Sequence, residues 1–123
     1  MTRRREHGQA TAEFALILPL LVMIAFAVVQ VGVVVRDRVA LSHATRAAAR
    51  TAIVSNDLGE IRRAALAATD LESDRMVVAV DGDLVPGTTV TVSVTYRVRT
   101  DVAMVGRFIG DVSCVDSLTV VVE

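Results

Sequence analysis

Hydrophobic positions fall along this chain in three patterns, each predicting a different kind of element. The first is an almost unbroken run. Residues 14–35, "FALILPLLVMIAFAVVQVGVVV", cover 22 positions without a formal charge, interrupted only by Pro19, Gln30 and Gly32. As a helix this run would be about 33 Å long, enough to cross a bilayer core of about 30 Å. It predicts a transmembrane helix over residues 9–35. Pro19 should remove a backbone bond and bend or loosen the helix near its first turns, although a membrane helix can also simply tolerate it. Gln30 is a polar group able to hydrogen-bond across helices.

The second pattern has a helical period. "VALSHATRAAARTAIV" is rich in alanine, a strong helix former, so the helix should continue from Arg36 to about Ser55. Arg36, His43, Arg46 or Ala47, and Arg50 form a polar stripe. Ala40, Ala44, Ala48 and Thr51 form a small-residue face that admits close packing, expected within the subunit, where a sheet needs cover. "SNDLGE" then interrupts. Asn56 or Asp57 can cap a second helix, with Glu60 placed for a reciprocal bond. Leu58, Ile61, Ala65 and Ala68 trace one face of that helix, which should end near Thr69.

The third pattern alternates. "RMVVAV" (75–80) reads as a strand, followed by a turn through Asp81, Gly82, Asp83 and Pro86-Gly87. Across residues 88–99, Val90, Val92, Val94, Tyr96 and Val98 face one way, and Thr89, Thr91, Ser93, Thr95 and Arg97 the other. A last strand over about 111–122 aligns Cys114, Leu118, Val120 and Val122, with Asp116 spoiling the row. A bulge or an edge position there would reconcile it. Between these strands "DVAMVGRFIG" (101–110) carries Met104, Val105, Phe108 and Ile109. These are expected to pack under the sheet, the other reading being a contact patch for a neighbouring subunit or the bilayer surface. The fold class expected is α+β and pilin-like: a long N-terminal transmembrane helix, a short second helix and a small antiparallel sheet of about three strands.

Composition sharpens this picture. The hydrophobic share of 53% and mean hydropathy of +0.54 exceed those of ordinary soluble domains. Arg3, Arg4 and Arg5 precede the apolar run, which predicts a cytoplasmic N-terminus and an exported remainder; Arg36 and Arg38 beyond the run weaken the bias. A net charge of −1 without a basic stripe argues against a nucleic-acid partner. Cys114 is the single cysteine, so no intramolecular disulfide can form, and it reads as a small apolar strand residue. The apolar run is too long for an ordinary signal peptide and ends in "RDR", unsuited to signal peptidase, so it should stay in the mature protein.

One stretch carries chemistry. "HGQATAEFALILPLL" (7–21) sets a lone carboxylate, Glu13, at the lip of a membrane-grade helix, where it is costly unless it snorkels to water or meets a cation. Gly8, four residues, then Glu13 and Phe14 after a short basic leader resembles the class III signal of type IV prepilins. The wider "GQATAEFALILPLLVMIAFAVVQVG" with "ATRAAARTA" resembles the TadE-like family of tight-adherence (Tad/Flp) pilus proteins, densely from Gly8 to about Ala52 and including Pro19. Beyond that the likeness is architectural. Major Flp pilins resemble only the N-terminal part, so the resemblance implies a minor pilin or pseudopilin.

It further implies a cytoplasmic leader over residues 1–8, cleavage between Gly8 and Gln9 by a prepilin peptidase, and an exported helix-plus-sheet domain over 36–123. The expected partners are other pilin subunits, the peptidase, the pilus assembly platform and membrane lipid. Cleavage would remove Arg3, Arg4, Arg5 and Glu6, taking the formal charge from −1 to −3, and would create an α-ammonium at Gln9. In pilins of this kind the carboxylate at the position of Glu13 meets the N-terminal ammonium of an adjacent subunit, an opposite charge that would compensate a carboxylate held in an apolar bundle. Gln30 departs from the acidic residue that many relatives carry near that point, which puts a charge-based role there in doubt.

No enzyme is expected. His7 and His43 have no metal-site spacing, G-x-S-x-G is absent, and "DGD" (81–83) reads as a turn rather than a calcium loop. No metal or other cofactor is implied. The alternative function is an unprocessed bitopic membrane protein whose exported domain binds a ligand or partner.

Overall fold

The computed structural model describes residues 3–98, 110 and 112–123, with side chains from Gly8 onward. The expected packing of residues 101–110 thus lies, except for Gly110, outside the described residues. The order of elements is helix α1 (Arg3–Val54), helix α2 (Leu58–Ala67), a 3₁₀ turn (Ser73–Arg75), and strands β1 (Met76–Asp81), β2 (Thr89–Val98) and β3 (Val112–Val121). The chain divides into two units, Met1–Val33 and Val34–Glu123. The expected class holds: a long apolar N-terminal helix, a short second helix and a three-stranded antiparallel sheet.

In the first unit every described side chain from Gly8 to Val29 is exposed. Leu16 is 80% exposed and Phe26 51%, so no described residue gives this surface apolar cover. One helix, spanning Gly8–Val54, is long and apolar enough to cross a membrane, with none of its most apolar window buried.

The second unit owns the core. Its sheet runs in the order β1-β2-β3, every neighbour antiparallel, which puts β2 in the middle. Val90, Val92, Val94, Tyr96 and Val98 are all buried, so the strict alternation of β2 reports one packed face. Against that face lie Leu41, Ala44, Ala48, Ala49 and Ala52 of α1, and Ile61 and Ala65 of α2. The buried stripe of α1 is mostly alanine, and the buried Thr45 hydroxyl is satisfied by donating to the Leu41 carbonyl at 3.0 Å.

The small-residue face of α1 does pack inside its own unit, but it is rotated from the expected one. Ala40 and Thr51 are only half-buried, while Leu41, Thr45, Ala49 and Ala52 are fully buried. A row taken in steps of four drifts around a helix of 3.6 residues per turn. The packed stripe instead alternates steps of three and one, which keeps it facing the sheet. In α2 the packed stripe shrinks to Ile61 and Ala65. Leu58 and Ala68 are exposed because one is the first helical residue and the other already the C-cap. Asp57 is the N-cap: its Oδ1 accepts from the Gly59 N–H at 2.8 Å. Glu60 does not return a bond to that residue's backbone. Its carboxylate accepts a hydrogen bond from the Ser55 hydroxyl, and Ser55 Oγ accepts from the Asp57 N–H at 3.3 Å, so the reciprocal link runs through Ser55.

Strand β3 pairs with β2 in an unbroken register of ten residues from Val112 to Val121, without a bulge. Asp116 lies opposite Val94 and so shares the core-facing side. It is tolerated because β3 is an edge strand, where that side is incompletely covered; Leu118 in the same row is 41% exposed. The other side is hydroxyl-rich, with Thr91 and Thr119 sharing a bond of 3.0 Å. Gly82, after β1, has φ +112°, and a Cβ there would stand 3.0 Å from the Thr89 carbonyl oxygen, so the turn needs glycine. Beyond β3, Val122 is buried and the Glu123 N–H donates to the Ile53 carbonyl at 3.0 Å, fastening the end of the sheet to the end of α1.

Candidate processing and assembly site

All five residues singled out by sequence lie on α1: Gly8, Gln9, Glu13, Phe14 and Pro19. Gly8 is exposed, and a Cβ built on it would meet nothing within 4 Å. Packing therefore does not demand glycine here. Glycine inside a helix costs about 1 kcal/mol relative to alanine, so this is where the first turns of α1 unwind most easily. Gly8 and Gln9 are both helical in the intact chain.

Gln9 and Glu13 are one turn apart and both exposed. The Gln9 side-chain amide donates from Nε2 to Glu13 Oε1 at 3.4 Å. Sequence reasoning assigns Glu13 a cation from another chain and passes over this amide, although the i,i+4 spacing signals it. Phe14, next in line, is 59% exposed. Pro19 stands inside α1, whose helical run is unbroken across it. Lacking an N–H, Pro19 cannot donate to the Ala15 carbonyl four residues back.

In the second unit, Asp37 acts on Tyr96 although 59 positions separate them in sequence. Burial pushes the Tyr96 phenol above its ordinary value, and the negative charges of Asp37 and Glu72 push it further. A backbone bond at Glu72 and the charge of Arg75 act in the opposite direction. Burial also raises the Asp37 carboxyl, partly offset by Arg36. On the hydroxyl-rich side of the sheet, Asp74, Arg75, Val77, Thr95 and Arg97 line an open cavity of about 310 Å³. Among the described residues, no three His, Cys, Asp or Glu side chains gather where they could hold a metal ion.

The motif at the head of α1 can be set beside known proteins. Residues 8–50 match the family model of TadE-like proteins. This segment is TadE-like. The match begins at Gly8, the residue at which the leader is expected to end, and takes in Gln9, Glu13, Phe14 and Pro19. It also reaches Leu41, Ala44, Ala48 and Ala49, so the TadE-like segment contributes to the core as well as to the apolar helix. The match supports a function related to the Tad pilus in general terms, and the helix supports membrane anchoring by a single pass. No curated protein and no solved structure matches the chain.

Proposed function

We propose that this TadE-like chain is a minor pilin or pseudopilin of a tight-adherence pilus, cleaved between Gly8 and Gln9 by a prepilin peptidase. The observation that carries the reading is the run Gly8, four residues, Glu13-Phe14 at the start of the TadE-like segment, on a helix whose apolar side chains are exposed from Phe14 to Val29. Gly8 supplies backbone without a side chain for the peptidase. Phe14 and the apolar run enter the bilayer and pack against other subunits. Glu13 sits where a carboxylate is costly unless paired, and cleavage creates the cation that suits it, the α-ammonium of a neighbouring subunit.

In this reading the arginine leader keeps the N-terminus cytoplasmic and residues 36–123 are exported. The partners are other pilin subunits, the peptidase, the assembly platform and lipid, not nucleic acid. The protein is a substrate and a building block and catalyses no reaction.

The deciding experiment is intact mass and N-terminal sequencing of the membrane-bound protein coexpressed with an active cognate peptidase. A mature start at Gln9, abolished by Gly8→Ala or by an inactive peptidase, is the expected result. A chain that keeps its leader despite an active peptidase overturns the pilin reading and leaves a membrane-tethered binding domain.

A further inference from the structure

Glutamine at a free N-terminus is a reactive arrangement, because its α-amine can reach its own side-chain amide carbon and close a five-membered ring. Removal of Gly8 puts Gln9 in that position, so this chemistry rests on the processing proposed for the chain. In the intact chain the Gln9 amide is not idle: Nε2 donates to Glu13 Oε1 at 3.4 Å. Three consequences of this contact oppose ring closure. The amide is drawn along the helix towards residue 13 and away from its own nitrogen. Donation to a carboxylate strengthens the amide's resonance and makes Cδ a poorer electrophile. The same carboxylate, one turn from the new terminus, stabilises the protonated α-amine, which has no lone pair with which to attack.

We infer that the mature N-terminus is a modification site, at which Gln9 cyclises to pyroglutamate and Glu13 holds the reaction back. In the step, the neutral α-nitrogen bonds to Cδ and the Cδ–Nε2 bond breaks. Nε2 then leaves as ammonia, carrying the proton that the α-nitrogen gives up. Nothing is oxidised or reduced, and no co-reactant is needed. The terminus falls from a charge of +1 to zero. A cyclised subunit has no ammonium to offer a neighbour's Glu13, so cyclisation withdraws from assembly the subunits that have waited unpaired. Glu13 thereby gains a second role, as a positioning residue that preserves its own chain's ammonium while it pairs with a neighbour's.

The test uses the full chain, coexpressed with an active cognate peptidase, extracted in detergent and aged at neutral pH. Intact mass and Edman sequencing are taken over days. Mass separates three species: the unprocessed chain, the chain starting at Gln9, and that chain less one ammonia, which is also blocked to Edman chemistry. The expected course is slow loss of ammonia by the wild type and several-fold faster loss by Glu13→Gln. Gln9→Ala, cleaved at the same bond, should lose none. Should Glu13→Gln escape processing, Glu13→Asp makes the same comparison with a carboxylate too short to reach the amide. Mature chains that keep a free amine in both wild type and variant overturn the cyclisation. Equal rates in the two overturn the protective role of Glu13. A chain that remains at the unprocessed mass overturns the processing reading together with this one, and its mass tells that failure from the others.

Discussion

A carboxylate at the head of an apolar helix must find either water or a cation, and among the described residues Glu13 accepts from the neutral Gln9 amide. A neutral donor at 3.4 Å is a weak substitute for an ion pair, and the proposed function supplies the cation from a second subunit. Glu13→Arg should therefore leave processing after Gly8 intact while stopping incorporation into pili, scored by mass and by shearing of surface fibres. Two ionisable groups of the second unit give a pH test. Asp37 has a raised carboxyl, so the folded state holds its proton more tightly than the unfolded state does. Its contribution favours folding in acid and is lost as pH rises through the folded-state value. Asp37→Asn should raise the thermal midpoint at neutral pH, with the gap closing in acid where both states are protonated. Tyr96 follows the same sign at the alkaline end: stability present below the ordinary phenol value, about 10, is lost as pH rises through its raised value. The chain contains no lysine and this single tyrosine. Tyr96→Phe should accordingly flatten the alkaline limb of a stability–pH curve.

At the level of elements, α1 shows how one helix serves two environments. Its first part is apolar on every side and suits lipid, whereas residues 41–52 bury one stripe of alanines against the sheet and expose His43, Arg46 and Arg50. The alanines of that stripe are fully buried and leave little room for a larger side chain. Ala48→Leu should cost about 1–3 kcal/mol through overpacking, measured by chemical denaturation. In α2 the Asp57 cap satisfies the Gly59 N–H, and Asp57→Ala should cost about 1 kcal/mol by the same measurement. The strands are legible in the sequence to different degrees. The alternation of β2 is complete because both its neighbours are strands and one face is fully covered. β3 reads imperfectly because an edge strand can carry Asp116 towards the core side without burying it fully.

For the molecule as a whole, the division into Met1–Val33 and Val34–Glu123 separates attachment from folding. Every fully buried residue described, from Leu41 to Val122, belongs to the second unit. A chain beginning at Val34 should therefore leave the membrane pellet and keep a cooperative thermal transition, measured by fractionation and calorimetry. The membrane helix, the capped second helix, the three strands and the motif from Gly8 to Phe14 can all be read from residue order, because each depends on periodicity or chemistry within one short segment. Folding in three dimensions chose which side of α1 is buried, put β2 at the centre, carried the Ser55–Glu60 link in place of the reciprocal Glu60 bond, and brought Asp37 to act on Tyr96. Burial and long-range charge belong to pairs of surfaces, and a single segment does not carry the identity of the surface that will meet it.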